Sequence, residues 1–117
     1  MDSVLYLIRQ LLYISQGGFT MTALTMLVTY KAKPGMRQTY VQQLRSSGIL
    51  KKIREENGCL SYDFYFSEED ENTLLLVEQW QDADCQKIHL EQPHMKEAMA
   101  VKEQYIDQTS VVKASTL

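Results

Sequence analysis

Four segments of the chain have the residue patterns of β-strands, and the first two alternate apolar and polar residues with a two-residue period. The first covers residues 23–32, the second residues 60–66 and the last residues 111–114. The third, residues 73–81, is rich enough in Leu and Val to be covered on both faces. Threonines lie opposite the apolar face of the first strand, which consists of Leu24, Met26, Val28 and Tyr30.

Residues 36–57, between the first two strands, carry apolar side chains at helical spacing. Gly48 lies inside this run and predicts a kink, because glycine interrupts regular helical structure. Gly58 follows the run and supplies the left-handed residue that commonly ends a helix. We therefore expect a bent helix that leads directly into the second strand.

A second helical region separates the third strand from the last. Asp82 is placed as the N-cap of a short helix that ends near Glu91. Pro93 then fits the first turn of a further helix that runs to about Tyr105. The order strand, helix, strand, strand, helix, strand predicts an α+β, ferredoxin-like β-α-β-β-α-β fold with a four-stranded antiparallel sheet.

Two helical units on one side of such a sheet leave its other face uncovered. Leu27, Leu75 and Val77 point away from the helix side in the predicted strands, so this second face is also apolar. An apolar face of this size needs a cover. The sequence therefore predicts a homodimer in which the two sheets pack against each other.

Composition and charge narrow the range of functions. The 117 residues are 44% hydrophobic and 23% charged, which is typical of a single globular domain. The net charge is −3 and the basic residues are scattered, whereas a nucleic-acid-binding surface needs a basic face. Cys59 and Cys85 lack CxxC spacing, so we expect reduced thiols in a cytoplasmic protein rather than disulfides or a zinc site.

The first twenty residues differ from the rest, so residues 1–20 are predicted to be an extension and residues 21–117 the domain. The apolar run within the extension, residues 4–14, is too short to span a membrane, and it lacks the basic start of a signal peptide. Two interpretations stay open. Residues 16–20 are of the types that a translated ribosome-binding site would encode, so that the native chain would begin at Met21. Alternatively, the extension is an amphipathic helix that lies on the domain or on a partner.

Glu78 and Trp80 lie on one face of the third strand, at the end of an otherwise apolar row. If this face looks into a pocket between sheet and helices, burial would raise the pKa of Glu78 and suit it to proton transfer. The alternative is a glutamate at the sheet edge that reaches solvent or a lysine. For Trp80 the alternatives are a core residue with its N–H satisfied and a platform on which a substrate stacks.

Both histidines of the chain lie shortly after this strand. His89 shares a helical face with Cys85 and Ile88, so we expect it to point inward and to act as an acid, a base or a hydrogen-bonding group. A structural histidine is the alternative. His94 follows Pro93 in the first turn of the next helix, and we expect it to be structural or to lie at the dimer interface. The two histidines are five residues apart, which is not the spacing of a helical metal site, so no metal is predicted.

The segment Glu78-Gln79-Trp80, followed by His89-Leu90-Glu91-Gln92-Pro93-His94-Met95-Lys96, resembles the antibiotic biosynthesis monooxygenase family, in particular its quinol-monooxygenase-like branch. The resemblance extends over residues 22–115. It implies a dimeric α/β barrel and a monooxygenase or oxidase that uses no cofactor, in which an electron-rich quinol or polyphenol reduces dioxygen itself. The chain has no dinucleotide-binding fingerprint, which would suggest an oxygenase that uses a nicotinamide or flavin cofactor, and it has no phosphate-binding loop.

The resemblance implies a pocket for a small aromatic substrate and dioxygen, with His89 and Glu78 as catalytic groups. Residues of the right kind to bind the substrate are Tyr30, Tyr62, Phe64 and Trp80, for which ordinary core packing is the alternative. Two other functions stay open. One is an isomerase of a small phosphorylated or carbonyl metabolite, with Lys87 or Lys96 holding phosphate. The other is a ligand-binding dimer without catalysis.

Overall fold

A computed structural model describes residues 23–115, which form a four-stranded sheet and four helices. The strands and helices, in chain order, are β1 (Leu24–Ala32), α1 (Arg37–Ser46), α2 (Ile49–Arg54), β2 (Cys59–Phe66), β3 (Thr73–Trp80), α3 (Ala83–Leu90), α4 (Pro93–Tyr105) and β4 (Ile106–Ser115). The predicted β-α-β-β-α-β order is confirmed, with each helical unit divided into two helices. The extension predicted for residues 1–20 lies outside the described residues.

The sheet is antiparallel throughout, with the strand order β2-β3-β1-β4. β1 therefore lies in the interior of the sheet, where it pairs with β3 on one side and β4 on the other. β4 is longer than the four residues predicted, because its polar first half also pairs with β1. That half was not recognised from the sequence, since polar residues are tolerated at a sheet edge and give no apolar alternation.

Glycine, aspartate and proline residues mark the helix boundaries, although α2 ends at Arg54, before the stop predicted at Gly58. Gly48 separates α1 from α2 and Gly58 follows α2, and both have φ +83°, which is the left-handed conformation that glycine adopts without strain. The side chain of Asp82 accepts a hydrogen bond from the backbone N–H of Cys85 at 2.8 Å and so caps α3. Pro93 occupies the first turn of α4.

The loop between β2 and β3 contains the acidic residues 68–71, and Arg37 of α1 holds it in place. One guanidinium nitrogen, Nη1, donates hydrogen bonds to the backbone carbonyls of Ser67, Asp70 and Thr73 at 2.9–3.0 Å. Asp70 also forms an ion pair with Lys31 of β1. The loop is thus a turn fixed to its neighbours through Arg37 and Lys31.

The hydrophobic core lies between the helices and the inner face of the sheet, where the alternating apolar residues of β1 and β3 meet α1 and α2. On the outer face, Leu75 and Val77 are also shielded from solvent in this single chain, whereas Val112 on the edge strand is 59% exposed. The homodimer through this face stays a prediction. None of the helices within residues 23–115 is long and apolar enough to cross a membrane.

Candidate functional site

A cavity of about 380 Å³ opens between the inner face of the sheet and helices α3 and α4. Its floor includes Met26 and Val28 of β1, and apolar side chains of α4 contribute to its roof. Its polar lining includes Tyr30, Tyr40, Tyr62, Glu78, His89 and Lys102. Four of the six residues predicted from the sequence, Tyr30, Tyr62, Glu78 and His89, therefore converge on one cavity.

Glu78 enters this cavity from β3, whose alternation directs it to the same face as Trp80. The residue is 7% exposed, and its Oε1 accepts a hydrogen bond from Nε1 of Trp80 at 3.0 Å. Burial raises the pKa of the Glu78 carboxyl, and the hydrogen bond from Trp80 offsets part of this effect. Glu78 is therefore a carboxyl group whose proton is held more strongly than that of a glutamate in water.

His89 of α3 is 1% exposed and lies between two carboxyl groups. Its Nδ1 is 2.9 Å from Oε2 of Glu56, and its Nε2 is 4.0 Å from Oε1 of Glu78. The imidazole lies against the Trp80 indole with the ring centroids 4.6 Å apart, and the Tyr62 ring meets it edge-on at 5.7 Å. These contacts hold the ring so that one nitrogen faces Glu56 and the other faces the cavity side.

Glu56 is the member of this site that the sequence analysis missed. It follows α2 in the turn before Gly58, and its side chain is 7% exposed. Its Oε2 is also 2.7 Å from Nε2 of His94, so both histidines of the described chain meet at one carboxylate. The sequence gives little indication that Glu56 is buried, because an acidic residue at a helix end is usually at the surface. Its partner His89 also lies 33 residues further along the chain.

Three buried tyrosines supply hydroxyl groups to the same cavity. Burial raises the pKa of Tyr30 and Tyr62 well above the ordinary value, and it raises the pKa of Tyr40 to about 12. The rings of Tyr30 and Tyr40 meet edge-to-face at 5.5 Å. All three phenols therefore stay neutral near pH 7, where they can donate hydrogen bonds. Tyr40 was not among the site residues predicted from the sequence.

Two predicted substrate-binding residues do not line the cavity. Trp80 is fully buried behind Glu78 and His89, where it supports both side chains. Phe64 packs edge-to-face against Tyr40 and Tyr62 and so supports the tyrosine cluster. His89 points inward as expected, but Ile88, which was assigned to the same helical face, is 54% exposed.

The pair formed by His89 and Glu78 suits proton transfer to or from a bound hydroxyl group. With 4.0 Å between Nε2 and Oε1, a single ligand oxygen can lie within hydrogen-bonding distance, about 2.8 Å, of both atoms. Within residues 23–115 no group of three or more His, Cys, Asp and Glu side chains is arranged to hold a metal ion. The described side chains place an imidazole and a carboxyl group beside a cavity with a largely apolar floor and roof.

Comparisons with known proteins place this geometry in context. Residues 23–101 match the family model described as antibiotic biosynthesis monooxygenase. Over 66 residues the chain is 30% identical to "Putative monooxygenase YcnE" of Bacillus subtilis. This alignment covers 56% of this chain and 67% of that protein. The chain is also 30% identical over 67 residues to "Uncharacterized protein sll1783" of Synechocystis sp.. This second alignment covers 57% of this chain but only 44% of that protein.

A solved structure supports the fold assignment. The crystal structure of PA3566 from Pseudomonas aeruginosa superposes on this chain with a TM-score of 0.72 at 26% sequence identity, covering 86% of this chain and 99% of that chain. The four-stranded sheet with its helices on one side is therefore an arrangement found in known proteins.

Proposed function

This chain belongs to the antibiotic biosynthesis monooxygenase family, and from that premise we propose that it oxidises a small aromatic quinol or polyphenol with dioxygen. In the proposed reaction the substrate supplies all the electrons. A benzene-1,4-diol and O₂ give a hydroxyquinone and water, so that one oxygen atom enters the ring and the quinol loses four electrons. The simpler oxidase reaction would give a quinone and hydrogen peroxide, with two electrons transferred.

The observation that carries this proposal is the position of His89 beside Glu78 at a cavity bordered by tyrosines. Deprotonation of a quinol hydroxyl makes the ring a stronger reductant, and a buried imidazole with a free nitrogen is a suitable base. Glu78, whose carboxyl holds its proton more strongly than usual, is placed to hydrogen-bond the same oxygen. The role of the tyrosines is to orient the ring and donate hydrogen bonds.

Lys102 of α4 supports a more specific substrate. It lines the same cavity, with its ammonium nitrogen 6.0 Å from the centroid of the Tyr30 ring. In the β1–β3 ladder Tyr30 is opposite Leu74, and Met26 is opposite Glu78. Tyr30 and Glu78 therefore lie at positions of the sheet that are four residues apart along the strands, or roughly 13 Å. A positive charge toward one end of the cavity and an acid–base pair toward the other favour an aromatic substrate with an anionic substituent far from its reacting hydroxyl.

The isomerase interpretation receives less support. Lys87 and Lys96, which were considered as phosphate ligands, are both exposed and neither lines the cavity. A phosphorylated sugar is also a poor match for a floor formed by residues such as Met26 and Val28. The proposal therefore remains with an aromatic substrate.

Oxygen uptake by purified protein freed of metals and flavin tests the proposal. The substrates are naphthoquinols and benzoquinols with and without a carboxylate, measured against autoxidation without protein. His89→Ala is compared with Ile88→Ala, a matched change at an exposed position of the same helix. We expect uptake above autoxidation that His89→Ala lowers by about 10²- to 10⁴-fold and Ile88→Ala leaves within about twofold. Uptake that never exceeds autoxidation across the panel would refute the proposed reaction.

A further inference from the structure

The Glu56 carboxylate separates two spaces on the protein. His89, on one side of it, lines the cavity described above. On the other side, Glu56 and His94 line an outer cleft of about 350 Å³ with six further residues, among them the exposed residues Glu55 and Ile88. The side chains of Glu56 and His94 are 7% and 12% exposed, so their contact is largely shielded from water although it borders this cleft.

The hydrogen-bond chemistry of a carboxylate determines where the protons of both imidazoles lie. An ionised carboxylate only accepts hydrogen bonds. Nδ1 of His89 at 2.9 Å and Nε2 of His94 at 2.7 Å must therefore each carry a hydrogen to form these contacts. A neutral imidazole has one N–H, so in His89 the free lone pair lies on Nε2, on the side of Glu78 and the cavity.

No other described side chain can fix this proton position. Glu78 lies 4.0 Å from Nε2 of His89, beyond hydrogen-bonding distance. The rings of Trp80 and Tyr62 restrict the orientation of the imidazole but do not distinguish its two nitrogens chemically. The selection of one tautomer therefore falls to Glu56.

We propose that Glu56 is a positioning residue that fixes His89 as the Nδ1–H tautomer with Nε2 available to the substrate, and that His94 holds Glu56 in place from the outer cleft. The inference deepens the proposed function, on which it rests for the role of His89 as a base. The tautomers themselves can be measured without any substrate. The two histidines should have opposite tautomers, with the proton on Nδ1 in His89 and on Nε2 in His94.

Two-dimensional ¹H–¹⁵N spectra of the imidazole rings of the full chain, recorded at alkaline pH, test this assignment. The chain contains only two histidines, so two spin systems are expected, and His94→Gln assigns them by removing one. We expect the His89 signals to show a protonated Nδ1 and an unprotonated Nε2. A His89 ring protonated on Nε2 in the unmodified protein would overturn the proposal, and this measurement requires no variant at Glu56.

Glu56→Ala tests the cause, with Glu55→Ala as the matched control because Glu55 is the adjacent, exposed glutamate. We expect Glu56→Ala to remove the Nδ1–H signature of His89 and to lower kcat by about 10²-fold or more, with KM changed less than about threefold. Glu55→Ala should change neither. An unchanged His89 tautomer in Glu56→Ala would show that Glu56 does not position the ring. The expected tautomers without oxygen uptake would leave this inference standing and refute only the proposed reaction.

Discussion

Gly58 couples the turn after α2 to the helix that carries His89. With φ +83°, a Cβ added at this position would lie 2.4 Å from Sγ and 2.7 Å from Cβ of Cys85 in α3. Gly48 has the same φ, but a Cβ added there meets no atom within 4 Å. Gly58→Ala and Gly48→Ala therefore introduce the same backbone strain and differ in the contact with Cys85.

The two free-energy losses can be worked out separately. A left-handed alanine costs about 1–2 kcal/mol relative to glycine, and this is the whole loss expected for Gly48→Ala. In Gly58→Ala, the two Cβ atoms must also separate from 2.7 Å to ordinary contact near 3.5–4.0 Å, a shift of about 1 Å. Overpacking of this kind costs a further ~1–3 kcal/mol. Gly58→Ala should therefore lower the free energy of unfolding by about 2–5 kcal/mol.

Urea denaturation of both variants at one protein concentration measures this difference. Cys85→Gly removes both clashing atoms, so combining it with Gly58→Ala should recover the additional loss of unfolding free energy. A double-mutant cycle corrects for the loss that Cys85→Gly causes alone. Because α3 carries His89, oxygen uptake should fall in Gly58→Ala and not in Gly48→Ala. Equal free-energy losses in the two alanine variants would refute the close approach of Gly58 to Cys85.

Three further predictions concern charge. Burial raises the pKa of Glu78 in the folded state. The protonated carboxyl therefore contributes to the free energy of unfolding at low pH, and this contribution is lost as the pH rises through the folded-state pKa. Glu78→Gln, which mimics the protonated form and can still accept from Trp80, should therefore raise Tm at neutral pH and not in acid; a Tm difference independent of pH would contradict this. We propose a homodimer through the outer sheet face. An unpaired charge in such an interface costs about 3 kcal/mol or more, so Val112→Asp should raise the dimer dissociation constant, measured by sedimentation, at least ~100-fold. Val111→Asp, on the opposite face, is the control, and equal effects would argue against this interface. Lys102→Met should raise KM for carboxylated quinols about five- to tenfold and leave KM for neutral quinols within about twofold, in steady-state kinetics; a parallel change for both classes would contradict the proposed recognition of an anion.

Most of the fold was predictable because its signals are local. The alternation in β1, the apolar run in β3, the left-handed glycines that follow α1 and α2, and the Asp82 cap each depend on a few neighbouring residues. The first half of β4 was not predicted, since its strand conformation comes from pairing with β1 and not from its own polar sequence. Local chemistry thus identified the order of the strands and helices, whereas long-range pairing determined the full length of the last strand.

The site was predictable only in part. Glu78 and His89 were found because a carboxyl group and an imidazole are unusual on apolar faces. Glu56 was missed, since its burial results from the approach of α3 and α4 to the turn after α2, which no local pattern records. Trp80 was correctly placed on the inner face of β3, but the sequence could not show that Glu78 and His89 would lie in front of it.

The position of β1 within the sheet has a consequence for synthesis of the protein. β1 is the first strand of the described chain to be made, but its partners β3 and β4 follow much later. The 73 residues between Ala32 and Ile106 take roughly 4–15 s to translate at about 5–20 residues per second. During that interval the backbone N–H and C=O groups on the β4 side of β1 are unpaired, and they form their hydrogen bonds only after β4 has left the ribosome. Aggregation during expression should therefore respond more strongly to changes that delay or weaken β4 than to equally destabilising changes in α1.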